Sequence, residues 1–275
     1  MDTRRLRRRP SRLILYTALA ASLAALSCDE RGVLRASPAT ASTGSSSLIS
    51  ALFDPISSGP VRVQALDPKA AQPVFVLLGP AGPHKLVFLH GMCGHGHGYA
   101  QSFQHAAARR GRLIAPQADI VCGGGPWAKW SMDLEKLDQR IVQAFEALGA
   151  KPPFEDISVL GYSQGATRAE ALARRYPRRY TRLVLMGAPS VTSAQGLGSL
   201  KSAVMMAGER DRQDKMKAGQ RNLQAAKIPV TFLVLPGATH GAMGTEPEKT
   251  MDSALEFLFA NTRETARPTA DAAAP

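Results

Sequence analysis

Seven short apolar runs recur along the chain, at 74–79 (VFVLLG), 85–90 (KLVFLH), 112–116 (RLIAP), 156–161 (DISVLG), 181–187 (TRLVLMG), 202–207 (SAVMMA) and 229–235 (PVTFLVL). Each is nearly continuous rather than alternating and is bounded by Gly, Pro or charge. That is the pattern of strands buried on both faces of a mostly parallel sheet. Longer stretches with helical periodicity separate them, at 99–110, 132–149, 166–177, 211–226 and 247–261. In the second of these, Leu134, Leu137, Ile141, Phe145 and Leu148 fall on one face at three- and four-residue spacing. Strand–helix alternation restricts the chain to a doubly wound α/β sheet with helices on both faces. Ligands of such a sheet sit at the carboxyl ends of its strands. No internal repeat is visible.

The flanks of this region read differently. A basic start with Arg4, Arg5, Arg7, Arg8, Arg9 and Arg12 precedes an apolar run from Leu13 to Leu26. This is the layout of a secretory signal, and the run is too short for a comfortable membrane span. It ends in Ala-Leu-Ser-Cys at 25–28, which resembles a bacterial lipobox with Cys28 as the lipid-bearing residue, although Ala25 stands where leucine is usual. A plain signal peptide cut nearby is the alternative, and a twin-arginine signal fits the arginines poorly. The expected organisation is a signal peptide over 1–28, a flexible tether over 29–60 rich in Ser, Ala, Thr, Gly and Pro, one domain over 61–261, and a disordered tail over 262–275.

The formal net charge of +12 does not imply nucleic acid. Six arginines and one acid in residues 1–12 account for +5 of it, and the rest is spread with no dense Lys/Arg run. With Cys28 lipidated, Cys93 and Cys122 remain as an even pair in an oxidising compartment. A bond between them would close a 29-residue span, for which chain entropy gives roughly 3–4 kcal/mol. Two free thiols are the other possibility.

The sharpest chemical signal is Gly161-Tyr162-Ser163-Gln164-Gly165. It follows the run ending at Leu160 and opens the helical stretch through Arg168, Leu172 and Tyr176. Strand, sharp turn, helix is the context a nucleophile elbow requires, and it presents Ser163 at a helix N-terminus, where a developing anion is favoured. His240, in the glycine-flanked loop Pro236–Gly241 after the last apolar run, is the candidate base. The run 203–207 ends in Gly208-Glu209-Arg210-Asp211, which supplies Asp211 as the candidate acid, with Glu209 and Asp214 as neighbours able to take its place. His90, His95 and His97 lie at short spacing beside Cys93, but no carboxylate accompanies them. The stretch reads as a glycine-rich active-site loop, and neither metal nor cofactor is expected.

Taken together, HGMCG, GYSQG, GERD and GATHG resemble the α/β-hydrolase superfamily over roughly 61–261. The Ser-Gln-Gly of the elbow, and Ala115-Pro116-Gln117-Ala118-Asp119 followed by Trp127 and Trp130, are similar to its carboxylesterase, phospholipase and acyl-protein thioesterase group. Dienelactone hydrolases and secreted polyester depolymerases are close rivals. The resemblance implies the chain order serine, acid, histidine, met by Ser163, Asp211 and His240. It implies an oxyanion hole from the backbone N–H groups of Met92 and Gln164, with His90 holding that loop by hydrogen bonds. In the hydrolase sheet the strands at 85–90 and 112–116 are neighbours. Cys93 and Cys122 would then both lie at the catalytic edge, where a disulfide braces the oxyanion loop. Only Pro189 to Ser199 separates the runs at 181–187 and 202–207, which leaves no room for a cap domain. The expected activity is hydrolysis of small-molecule or polymeric carboxylic esters in the cell envelope, with membrane contact through the lipid on Cys28. A peptidase or amidase on the same triad, and a catalytically silent binder, are the rival readings.

Overall fold

The computed structural model describes residues 61–67, 72–78 and 83–263. The signal, Cys28, the tether and nearly all of the tail lie outside the described residues. In chain order the elements are β1 (Arg62–Ala65), β2 (Val74–Leu78), β3 (His84–Leu89), α1 (Gly96–Ala100), a 3-10 turn (Gln101–Phe103), α2 (Gln104–Arg110), β4 (Gly111–Pro116), β5 (Ile120–Val121), β6 (Ala128–Lys129), α3 (Leu134–Ala147), β7 (Ile157–Tyr162), α4 (Gln164–Arg175), β8 (Tyr180–Met186), β9 (Ser202–Gly208), α5 (Asp214–Ala225), β10 (Val230–Leu235) and α6 (Pro247–Ala260).

Eight strands form one sheet in the order β1-β2-β4-β3-β7-β8-β9-β10. The six from β4 to β10 are parallel; β2 pairs antiparallel with β4 at their edge, and β1 pairs antiparallel with β2. All seven apolar runs are strands of this sheet. Every residue of β7 and of β9 is buried, which is why those runs lack alternation. One face packs α3, α4 and α5 through residues such as Ile141, Leu172 and Leu223. The other packs the 3-10 turn, α2 and α6 through Phe103, Ala107, Leu255 and Leu258. Each such aliphatic or aromatic side chain removed from water contributes on the order of 1.5–3 kcal/mol before chain entropy is set against it.

Three differences from the sequence reading have physical causes. The periodic stretch 99–110 is not one helix but breaks at Phe103, whose φ and ψ are −138° and 28°. The break is stabilised from far along the chain, because the Glu248 carboxylate of α6 accepts from the N–H groups of His105 and Ala106 at 2.9 and 2.8 Å and caps α2. Strand β1 is short, and the two-residue β5–β6 ribbon pairs only Ile120 with Lys129 and Val121 with Ala128; neither has an apolar run to announce it. Helix α5 begins at Asp214 rather than 211, which leaves Asp211 in a loop. Residues 187–201, between β8 and β9, contain no helix and lie down on the body of the fold through the buried Leu197 and Leu200.

Candidate active site

Ser163 stands between β7 and α4 with φ 51° and ψ −115°, a backbone conformation that costs of order 1–3 kcal/mol outside glycine. The turn is over-determined. The Ser163 N–H donates to the Met186 carbonyl at 2.8 Å, and its carbonyl accepts from Ala166 and Thr167 at 3.0 and 3.3 Å. A Cβ on Gly161 would lie 2.5 Å from the Gly165 carbonyl oxygen, and one on Gly165 would lie 2.0 Å from that of Leu89. Only glycine lets α4 close so tightly on the sheet, so both flanking glycines follow from packing.

His240 and Asp211 reach this serine from the loops after β10 and β9. His240 Nε2 lies 3.1 Å from Ser163 Oγ, and His240 Nδ1 lies 2.8 Å from Asp211 Oδ2. The other carboxylate oxygen of Asp211 accepts from the Arg212 N–H at 2.7 Å, which fixes the rotamer that points Oδ2 at the imidazole. The neighbouring acids have other partners. Glu209 accepts from the Gly237 N–H at 2.7 Å, and Asp214 pairs with Arg212 at 3.0 Å. Of the three candidate acids, Asp211 is the one placed against His240.

The histidine loop is held by two tyrosines whose role has no sequence signature. Tyr162 Oη accepts from the Gly241 N–H at 2.6 Å, while Tyr99 Oη donates to the Gly241 carbonyl at 3.0 Å. Their rings stack at 5.4 Å between centroids, and the Tyr162 ring lies 5.6 Å from that of His240. Burial pushes the Tyr162 phenol up to about 12, so it stays protonated.

The loop that follows β3 also reaches Ser163. Gly91 approaches so closely that a Cβ there would be 3.4 Å from Ser163 Cβ. The next N–H, that of Met92, has no acceptor among the described residues, and neither has that of Gln164 at the first position of α4. His90 is fully buried and anchors this loop. The Ala118 N–H donates to its Nε2 at 3.0 Å, so Nδ1 carries the proton and donates to the Gly91 carbonyl at 2.8 Å. Trp130 Nε1 donates to the His90 carbonyl at 2.7 Å. The Gln164 side chain pairs with the backbone of Trp130, accepting at 3.0 Å and donating at 3.2 Å. Gln117, also buried, accepts from Gly96 at 2.9 Å and donates to Gly94 and Pro126 at 3.1 and 2.8 Å. Cys93 and Cys122 are joined by a disulfide with Cα atoms 5.6 Å apart.

Burial lowers the His90 pKa to about 4 from the ordinary 6.5. In the unfolded chain His90 binds a proton as pH falls through 6.5, whereas in the folded chain it does so only near 4. Stability from this group is therefore complete above pH 6.5 and is lost between 6.5 and 4, by about 3 kcal/mol in all. Urea unfolding at pH 7.5 and 4.5 checks this. The parent is expected to lose roughly 2–3 kcal/mol more over that interval than a His90→Gln variant, which has no titrating ring. Reduction of Cys93–Cys122 is expected to cost roughly 3–4 kcal/mol of stability, because the bond ties the residue after Met92 to the 122–130 segment. Unfolding midpoints of the parent and a Cys93→Ser, Cys122→Ser variant, each with and without reductant, check it; only the parent should respond.

His95 and His97 pack against Phe75, at 5.0 and 5.4 Å between ring centroids. Among the described residues no group of three or more His, Cys, Asp or Glu is placed to hold a metal ion.

No protein-family model matches the chain, and no curated protein matches it by sequence. Solved structures do match. An arylesterase is 14 % identical with a TM-score of 0.54, covering 76 % of this chain and 85 % of its own. Esterase PE8 is 19 % identical with a TM-score of 0.52, covering 73 % of this chain and 100 % of its own. Fluorophosphonate-binding serine hydrolase F of Staphylococcus aureus is 15 % identical with a TM-score of 0.51, covering 72 % of this chain and 96 % of its own. At these identities the likeness speaks to architecture: the chain has the α/β-hydrolase fold.

Proposed function

We propose that the chain is a serine hydrolase that cleaves carboxylic esters through an acyl-enzyme. The observation that carries this reading is the unbroken contact series from Ser163 Oγ to His240 Nε2 and from His240 Nδ1 to Asp211 Oδ2. Ser163 Oγ attacks the ester carbonyl carbon while His240 takes its proton. Asp211 holds the imidazole in the Nδ1–H tautomer and stabilises the imidazolium. The carbonyl oxygen, now an anion, accepts from the Met92 and Gln164 N–H groups, which have no other acceptor among the described residues. Collapse breaks the ester C–O bond, and the alcohol leaves with the proton from His240. Water, deprotonated by His240, then attacks the acyl-Ser163 carbonyl and releases the carboxylic acid. The arylesterase and esterase among the structural neighbours favour an ester over an amide as substrate.

Labelling of the full chain with a fluorophosphonate, beside its Ser163→Ala variant, tests this reading together with hydrolysis of matched ester and anilide substrates. Labelling of the parent alone, with the ester turned over faster, is the expected result. An unlabelled folded parent rejects the hydrolase reading, and preference for the anilide moves it to an amidase.

We further infer export and lipid attachment at Cys28, a reading supported by the signal-like start and by the Cys93–Cys122 bond, which needs an oxidising compartment. Incorporation of labelled fatty acid into the parent but not into Cys28→Ser is the expected outcome in a bacterial host.

A further inference from the structure

A cleft of about 640 Å³ opens beside the His240 loop, between the segment Gly241–Thr245 on one side and His95, Tyr99 and Trp127 on the other. Its size is that of a site for a small organic group. Among the described residues no Asp, Glu, Lys or Arg lines it, although a fifth of the chain is charged. The one titratable imidazole in its wall, His95, is shifted toward the neutral form by burial and by the nearby His97. The cleft therefore offers no counter-charge to a charged ligand.

What it offers instead is aromatic surface in fixed positions. Trp127 is 50 % exposed, yet its backbone is not loose. Its carbonyl accepts from the Cys122 N–H at 2.8 Å, and the next N–H, of Ala128, donates to Gly94 at 3.2 Å. The His95 ring meets Trp127 edge-on at 6.2 Å and accepts from the Gly98 N–H at 3.4 Å. Tyr99 is held by its bond to Gly241. A large indole presented to solvent by a braced segment is poised to cover a flat, apolar partner.

The position of the cleft selects which half of an ester enters it. Its wall includes Gly241, the residue after His240, and Tyr99, whose ring stacks on that of Tyr162 beside His240, while Ser163, His240, Met92 and Gln164 themselves do not line it. In acyl transfer the imidazole must reach the departing oxygen to return the proton, so the alcohol portion lies on the histidine side. We propose that this cleft binds the leaving group, and that the enzyme's substrates are esters of uncharged, ring-bearing alcohols, with Trp127 as the specificity-determining residue. The proposal rests on Ser163 being the nucleophile.

The test compares the full chain with Trp127→Ala and Trp127→Phe on acetates of ethanol and 2-naphthylmethanol, and on methyl 2-naphthoate, which carries the ring in its acyl half. Fluorophosphonate labelling accompanies each protein as a measure of the assembled triad. In the parent, kcat/KM for the naphthylmethyl ester exceeds that for ethyl acetate. In Trp127→Ala this ratio is expected to fall by about tenfold or more, chiefly through KM, and Trp127→Phe restores part of it. The fall should be larger than any change on methyl 2-naphthoate. An unmoved ratio in a labelled enzyme overturns the cleft assignment alone, as does a loss confined to methyl 2-naphthoate, which would give the cleft to the acyl half. A parent that neither labels nor cleaves any of the three esters overturns the hydrolase reading and this proposal with it.

Discussion

Replacing His240 with alanine is expected to lower kcat on an ester by about a million-fold, Ser163→Ala by a similar factor, and the double variant by little more than either. The reason is geometric. His240 Nε2 is 3.1 Å from Ser163 Oγ, and a serine hydroxyl without that base is a weak nucleophile at neutral pH. Once either partner is gone the other has nothing to act on, so the losses do not add. What remains is the catalysis that needs neither group: binding, and the donors at Met92 and Gln164, together about 10³–10⁴ over water. Single-turnover rates for the three variants, measured beside fluorophosphonate labelling, check this. A His240→Ala loss of only about a hundred-fold would mean that another group takes the proton, and additive losses would separate the two residues into independent roles.

The parts of this architecture that were legible in the sequence are those set by local composition. The central strands are buried on both faces, and VFVLLG, KLVFLH and SAVMMA announce that directly. The elbow is legible for a similar reason, since the close approach of α4 to β3 and β7 admits no side chain at 161 or 165. What could not be read is what depends on partners distant in the chain. The break at Phe103 needs Glu248, 143 residues from His105. The stacked pair Tyr99 and Tyr162, which bond the carbonyl and the N–H of Gly241, joins a helix, a strand and a loop with no shared pattern. The Gln164 side chain, read as a feature of the elbow, turns out to pair with the backbone at Trp130. The three acids near the end of β9 were open to choice because only the fold decides which one meets an imidazole.

That choice has its own kinetic signature. Asp211→Asn is expected to lower kcat by about 10⁴-fold while leaving the fold intact. The Arg212 N–H donates to Oδ1 of Asp211 at 2.7 Å, so the asparagine oxygen takes that position and its NH₂ faces His240 Nδ1. The imidazole must then present a lone pair at Nδ1 and carry its proton on Nε2, where it can no longer accept from Ser163. Glu209→Gln keeps an oxygen for the Gly237 N–H, and Asp214→Asn removes an exposed ion pair that water screens. Neither is expected to change kcat more than a few-fold. Steady-state kinetics on all three, with circular dichroism to confirm folding, separate the acids. If Glu209→Gln carries the large loss and Asp211→Asn the small one, the 2.8 Å contact between Asp211 and His240 is not what orients the base, and the relay runs through the loop that Glu209 holds.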